Sequence, residues 1–328
     1  MARSRGASIL IMILALVLAG PPAEGQTGKK TPAKKKGVRS LMDARRTADS
    51  LNAFHADSLR NVVEAGARAD SLRRSQDSLA AQARADSVRL HSLRKIQNSA
   101  FGVGERLVFD VSYGFITAGE AVMAIPAYDS VDGRRCYRVE FTVNSLPSFS
   151  WVYKVEDQYR TFIDVETIAP WKFEQHIREG SYKRDFIAEF DQVHLLARTT
   201  EGVHRIPQYV HDIMSAFYYV RTLDFSSMVV GEVLTLYNFY KDTTYELGVK
   251  FLGRQELEVE AGTFKTIVVE PLVKEGGLFK SEGRIVIWLT DDERKLPVRV
   301  NTKVLIGSID TELREYSGLV GPVGARTK

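Results

Sequence analysis

Hydrophobic and polar residues alternate along most of the chain from Phe101 onward. In the first such run Leu107, Phe109, Val111 and Tyr113 fall on one face of an extended chain, as expected for a half-buried strand. Further strand-like runs, separated by turn residues, occupy residues 120–125, 137–143, 151–163, 171–178, 184–190, 193–200, 233–240, 244–252, 257–259, 266–272, 283–290, 297–304 and 308–316. Strands at this spacing indicate an antiparallel meander.

Residues 207–221 follow a helical period instead. One apolar stripe with a spacing of three to four residues contains Val210, Ile213, Met214, Phe217 and Val220. Pro207 suits the first turn of a helix, and Arg221 suits its negative end. This number of strands is larger than a small open sheet contains. We therefore predict a mainly β fold: one large, curved antiparallel sheet or incomplete barrel, with this amphipathic helix packed on its concave side as a plug.

The first 25 residues have the three parts of a secretory signal. Arg3 and Arg5 precede an apolar run at residues 9–19, and small residues flank a plausible cleavage point before Gln26. The run is too short to span a bilayer, which takes about 20 residues. The sequence therefore predicts an exported mature chain without a transmembrane span; the alternative is an uncleaved anchor.

Residues 26–97 have the composition of an arm. A Lys-rich linker leads into a stretch in which Ala-Asp-Ser recurs at 48–50, 56–58, 69–71 and 86–88. This stretch is rich in Ala, Arg and Leu and has no proline, which favours helix, but its apolar residues do not keep a heptad spacing. We expect a solvated, disordered or partly helical arm, or an arm that contacts an anionic surface such as headgroups or cell-wall polymer.

Charge is distributed unevenly along the chain. Residues 27–96 hold 16 Lys and Arg against 7 Asp and Glu, whereas residues 97–328 carry a net charge of −6 within an overall charge of +4. The basic pI of about 9.0 therefore comes from the arm. We do not predict nucleic-acid binding, because the folded region has no basic excess.

The predicted helix carries His211, Asp212 and Ser215, the residue types of a hydrolase triad. Ser215 and His211 are four residues apart and can meet on a helix, but adjacent residues diverge by about 100°. Asp212 therefore cannot orient His211 as a triad requires, and no Gly-x-Ser-x-Gly turn presents the serine. We predict no catalytic residues and expect Asp212 and Ser215 to bind backbone groups or a neighbouring strand.

The remaining candidates for chemistry are weak. The six histidines do not form a His-Glu-x-x-His motif, and Cys136 is the only cysteine, so we predict neither a metal site nor a cofactor. Cys136 is expected to pack as a small apolar residue in a strand. The acidic run at 291–293 is followed by Arg294 and Lys295, which favours a charge-compensated hairpin turn over a calcium site.

The order of several short segments resembles the domain-of-unknown-function family 3108, exported proteins of diderm bacteria. The resemblance covers about residues 101–319, and its main pieces are residues 104–111, 119–121, 157–170, 212–221, 261–264 and 287–292. It implies a β-rich envelope domain, here located in the periplasm, with no established activity. At the level of fold it is also similar to envelope proteins whose half-barrel holds acyl chains.

These observations give a domain plan and a functional hypothesis. We predict a signal peptide at 1–25, the arm at 26–97, the β domain at 98–319 and a disordered tail at 320–328. A curved sheet of this size has more interior than one helix fills, so an apolar or lipid-like ligand is expected. The candidate cavity-lining residues are Trp151, Tyr153, Trp171, Phe173, Phe217 and Trp288. The alternatives are that these rings only pack the core, and that the protein is a scaffold whose arm contacts cell wall, membrane or a partner.

Overall fold

The computed structural model describes residues 46–273, 284–304 and 307–328. Among the described residues, those from Leu93 onward form one compact unit, and residues 46–92 belong to a second. The predicted signal peptide and residues 26–45 of the predicted arm, which include the Lys-rich linker, lie outside the described residues.

The second unit contains one helix, α1, which runs from Arg46 to His91 over 46 residues. Where its side chains are described they are almost all exposed, including Leu72 and Leu79. Over the side chains that are described, the helix buries no apolar face against a core, so its helix-forming composition supports it locally. Its charge is nearly balanced, with seven Arg against six Asp and Glu. The basic excess of the predicted arm thus lies outside this helix.

The first unit is dominated by a single 14-stranded antiparallel sheet. The strands are β1 Arg106–Tyr113, β2 Ile116–Val131, β3 Arg134–Ser145, β4 Glu156–Asp164, β5 Pro170–Glu179, β6 Tyr182–Asp191, β7 Leu196–Thr199, β8 Val203–Arg205, β9 Val233–Tyr240, β10 Thr243–Val259, β11 Gly262–Val273, β12 Ile285–Thr290, β13 Pro297–Lys303 and β14 Ser308–Ser317. Their order is β8-β7-β6-β5-β4-β3-β2-β1-β14-β13-β12-β11-β10-β9. This confirms the predicted large antiparallel sheet, with β8 and β9 as its edges in the part of the chain that the structure describes.

Two short helices accompany the sheet: α2 at Pro147–Ser150 and α3 at Ile213–Val220. Because consecutive strands pair antiparallel, turns after odd-numbered strands lie at one end of the sheet, which we call the distal end. Turns after even-numbered strands lie at the other, the helix end. The connection from β8 to β9 contains α3, so α3 belongs to the helix end, whereas α2, between β3 and β4, belongs to the distal end.

The helix is shorter than the predicted 207–221. Asp212 is its N-cap, with an extended backbone and a side chain that accepts hydrogen bonds from the backbone N–H groups of Met214 and Ser215. The residues before it follow a different course: His211 forms a parallel bridge to Asn238 on the edge strand β9. The early start expected from Pro207 is therefore wrong, because Asp212 caps the first free N–H groups and the helix begins directly after it.

Several strand predictions also differ from the structure. Strand β2 covers residues 116–131 instead of the predicted 120–125. Residues 244–259 form one strand instead of two, because Gly253 takes a φ of 121° and is accommodated as a bulge opposite β11. The strand expected from residue 151 starts at Glu156, after the turn of α2. The short strand β8 was not predicted.

The ends of the β domain are longer than predicted. Leu93 is buried, and the Ile96 N–H donates to the Glu166 carbonyl, so the packed chain begins before residue 98. The segment 320–328 was expected to be a disordered tail, and this differs from the structure. Ala325 is buried and Arg326 forms an antiparallel bridge to Phe264, so the segment lies along β11.

Candidate functional site

A partly enclosed cavity of about 120 Å³ lies between α3 and the concave face of the sheet. Helix α3 forms its floor, and β1, β2, β3 and β10–β14 form its walls. All but one of its lining residues are apolar: Phe109, Met123, Phe141, Ile213, Met214, Ala216, Phe217, Val220, Leu247, Val249, Val269, Pro271, Ile285, Ile287, Leu289, Pro297, Val300 and Thr311. The space therefore suits an apolar group.

The cavity exists because its wall carries medium-sized side chains. Val249, Val269 and Val300 occur on strands β10, β11 and β13 at positions where a ring would reach further inward. On the floor, Met214 and Ala216 are buried, while the half-buried Phe217 reaches toward the cavity. The result is unfilled volume in one part of an otherwise packed interior.

The first turn of α3 is fixed to strand β4. The Thr161 hydroxyl donates to Asp212 Oδ2 at 2.8 Å, while Asp212 Oδ1 accepts from the N–H groups of Met214 and Ser215 at 2.8 and 2.9 Å. Burial raises the pKa of the Asp212 carboxyl. Its oxygens are thus committed to positioning the helix.

The last turn of α3 is fixed by a buried ion pair. Arg221 donates to both carboxylate oxygens of Glu105, at 2.7 and 2.8 Å, and neither side chain is exposed. The same guanidinium donates to the Arg294 carbonyl and lies 5.3 Å from the ring of Phe101 and 5.1 Å from that of Tyr218. A bidentate, fully buried pair of this kind fixes the orientation of the two side chains as well as the distance between them. The floor of the cavity is therefore held at both ends.

A third contact ties the start of the β domain to the helix. The guanidinium of Arg94 lies 4.1 Å from the ring of Tyr209 and 4.6 Å from that of Tyr219. The His211 ring stacks on Tyr219 with a centroid distance of 4.8 Å. Burial, with a smaller contribution from Arg94, lowers the pKa of His211 to about 3, so this ring is neutral at physiological pH.

The other half of the concave side, strands β4–β8, contains a buried carboxyl pair. Asp157 accepts from the Arg178 N–H at 2.8 Å and adjoins Glu179 at the distal end. Burial, reinforced by the charge of Asp157, raises the pKa of Glu179 to about 9. Burial also raises the pKa of Asp157. Glu179 is therefore protonated at neutral pH and is able to donate a hydrogen bond.

The family model for "Protein of unknown function (DUF3108)" matches residues 108–314. The chain belongs to this family. The matched region contains all of α3 and the strands that wall the cavity, except the first residues of β1 and the last residues of β14, and it leaves out α1 and Glu105. A comparison with curated proteins finds no match.

Three solved structures are similar to this DUF3108 chain at low identity. A beta-barrel-like protein of the family DUF1849 from Brucella abortus has a TM-score of 0.44 and 8% identity over 69% of this chain and 99% of its own. A candidate exported protein with a YmcC-like fold from Bacteroides fragilis has a TM-score of 0.32 and 12% identity, covering 69% and 100%. A candidate lipoprotein from Parabacteroides distasonis has a TM-score of 0.32 and 10% identity, covering 67% and 100%.

The six aromatic residues expected to line a cavity are not brought together. Phe217 lines the cavity described above. Phe173 is buried in the other half of the sheet, 6.4 Å from the ring of Phe186. Trp171 is also buried, with the Arg134 guanidinium 5.7 Å from its ring.

The other three lie nearer the surface. Trp151 follows α2 at the distal end and is 84% exposed. Tyr153 is half-buried near Gly180, and Trp288 is half-buried near the Arg299 guanidinium. The aliphatic residues that do line the cavity were missed, because their alternation predicts a strand without showing which interior positions leave space.

The structure brings His211 and Ser215 of the rejected triad together, but it directs the Asp212 carboxylate away from His211. His211 Nδ1 and Ser215 Oγ are 3.3 Å apart, while both oxygens of Asp212 serve the helix cap and Thr161. In the described residues, no group of three or more His, Cys, Asp or Glu side chains is arranged to hold a metal. Cys136 is buried, and burial raises the pKa of its thiol to about 12.

The acidic run after β12 forms a turn. Asp292 Oδ1 accepts from the N–H groups of Arg294 and Lys295, and Oδ2 accepts from the Ala325 N–H.

No helix among the described residues is both long and apolar enough to cross a membrane.

Proposed function

We propose that this DUF3108 protein is an exported, non-enzymatic binding protein of the bacterial periplasm, and that its cavity holds the apolar part of a lipid or another apolar ligand. The observation that carries the proposal is the apolar cavity above α3, whose floor is fixed at both ends by buried polar contacts. The signal-like first 25 residues support export.

The cavity volume limits the size of the apolar group that the protein can enclose. At about 120 Å³ it is similar in size to engineered apolar cavities of about 150 Å³ that bind benzene. It has room for about four methylene groups, each contributing about 0.8 kcal/mol on burial. A longer acyl chain places only its end here and continues toward the distal end of the sheet, where the lining residues Leu247, Pro271 and Ile285 lie.

The test is a fluorescence titration of the purified mature chain with N-phenyl-1-naphthylamine, whose phenyl ring is of the size that the cavity holds and whose naphthyl group extends, as a longer acyl chain does, toward the distal end of the sheet. Organic extraction and mass spectrometry of the same preparation follow. We expect a saturable fluorescence increase and an extracted amphiphile in stoichiometric proportion to the protein. A chain that repeatedly yields an empty extract and leaves the probe fluorescence unchanged would contradict the proposal.

A scaffolding role is the second candidate. Helix α1 exposes Leu72 and Leu79, 65% and 68% exposed and seven residues apart, and such a pair suits contact with another helix. The basic linker before α1 suits an anionic surface. Deleting residues 26–92 separates the two roles: probe binding persists if the cavity acts alone, whereas sedimentation with cell wall or anionic vesicles is lost if the arm carries the function.

A further inference from the structure

The one polar residue of the cavity wall is Thr311, in the middle of β14. It faces the cavity between Ile309 and Leu313, which are both fully buried. Thr311 itself is 4% exposed, and its hydroxyl has no hydrogen-bond partner among the described residues. A hydroxyl in such a position loses its hydrogen bonds with water and gains none in return, which costs free energy unless a ligand supplies the partner.

The neighbours of Thr311 do not offer that partner. Across the sheet it pairs with Val111 on β1 and Val300 on β13, whose side chains have no polar atoms. The other lining residues are apolar as well. The backbone groups of β1, β13 and β14 are engaged in the strand ladders, which run perpendicular to the direction of the side chain.

The geometry points to a ligand that is an amphiphile with an oxygen at the level of Thr311, such as a hydroxyl or an ester carbonyl, and not a plain hydrocarbon. This inference rests on the proposed function and specifies its ligand class. The Thr311 hydroxyl donates to the ligand oxygen, or accepts from it if the ligand carries a hydroxyl. The hydrocarbon part occupies the space between α3 and strands β10–β12.

Thr302 provides a matched control on the neighbouring strand. It pairs with Ile309, so it lies diagonally across from Thr311 on the same face of the sheet. Thr302 is also buried, and its hydroxyl also lacks a partner among the described residues, but it does not line the cavity. T302V and T311V therefore make the same chemical change in similar surroundings, and only one of them alters the cavity wall.

The experiment measures displacement of N-phenyl-1-naphthylamine from the mature chain by 1-hexanol and by n-hexane. In the unaltered chain, 1-hexanol is expected to displace the probe at a lower concentration than its aqueous solubility alone predicts, because its hydroxyl bonds to that of Thr311. T311V is expected to weaken 1-hexanol about fivefold, the effect of one neutral hydrogen bond, and to leave n-hexane unchanged. T302V is expected to leave both unchanged.

Both valine variants are expected to melt at the same or a higher temperature, because each removes an unpartnered buried hydroxyl. Equal effects of T311V on the alcohol and the alkane, or no effect on either, would overturn the inference while probe binding still supports the cavity. A clearly lower melting temperature for T311V alone would also overturn it, since the hydroxyl would then be paired within the protein. Absence of probe binding in the unaltered chain would instead count against the proposed function itself.

Discussion

The two halves of the concave side differ although the same sheet forms both. In the half formed by β4–β8, rings fill the interior: Tyr159, Phe173 and Phe186 follow one another at centroid distances of 6.5 and 6.4 Å, and Phe190 meets Phe239 at 5.7 Å. In the half formed by β1–β3 and β10–β14, valine and isoleucine occupy many inward positions, and a cavity remains. Side-chain size thus contributes to where space is left.

The halves also differ in polarity. The packed half contains the protonated Glu179 beside Asp157, together with the buried Gln175. The wall of the cavity offers one hydroxyl, that of Thr311. Helix α3 belongs to both, since Asp212 binds Thr161 of the packed half and Arg221 binds Glu105 just before β1. The following variants test this division, from the largest expected effect to the smallest.

Removing the anchor of the cavity floor is expected to have the largest effect. Glu105→Ala leaves the Arg221 guanidinium buried without its partner, and such a change costs about 3–5 kcal/mol of the free energy of unfolding. Urea denaturation measures this loss. Glu120→Ala is the control, because it removes a partly exposed partner of Arg314 and is expected to cost about 1 kcal/mol or less. Equal losses for the two variants would show that the buried pair does not hold the helix.

The same truncation is expected to cost more in the packed half than beside the cavity. Ile177→Ala, on β5, removes a fully buried side chain from a filled interior and is expected to cost about 3–5 kcal/mol. Ile287→Ala, on β12, truncates a half-buried side chain that already borders the cavity and is expected to cost about 1–2 kcal/mol. If Ile287→Ala proves the costlier change by urea denaturation, the two halves do not differ in packing as described.

The carboxyl pair of the packed half predicts a dependence on pH. The pKa of Glu179 is about 9 in the folded chain and 4.5 when unperturbed, so the folded chain holds an extra proton between these values. The free energy of unfolding therefore falls as pH rises from about 4.5 to about 9, and Glu179→Gln is expected to recover on the order of 2 kcal/mol at pH 8.

The control for this variant is Glu189→Gln, which changes an exposed carboxylate on the neighbouring strand β6 and is expected to alter stability by about 0.5 kcal/mol or less. Melting curves at pH 5 and pH 8 separate the outcomes. A Glu179→Gln chain whose stability still declines from pH 5 to pH 8 as steeply as the unaltered chain would exclude this source of the decline.

Much of the sheet is predictable from alternation, because one face of each strand packs inside and the other meets water. The exceptions have local causes. A glycine such as Gly253 usually marks the end of a strand. Here the strand continues through it, because a bulge accommodates its positive φ. The start of α3 depends on which side chain caps it, and Asp212 does so in place of the turn expected at Pro207.

The cavity was harder to predict than the sheet. Choosing the largest rings as lining residues favours positions that fill space, and Phe173 and Trp171 do so in the packed half. Whether a cavity forms depends on how side chains such as Val249, Val269 and Val300 meet across strands far apart in the sequence. The unpartnered hydroxyl of Thr311 is likewise invisible in sequence, because threonine is common in strands.

The central claim is that the space above α3 holds an apolar ligand, and filling that space tests it most directly. Val300→Phe places a ring into a cavity of about 120 Å³, whereas Val286→Phe makes the same change on the opposite face of the adjacent strand. With both variants folded by circular dichroism, we expect Val300→Phe to reduce the affinity for N-phenyl-1-naphthylamine at least tenfold and Val286→Phe to leave it unchanged. Equal affinities in the two variants would contradict the claim.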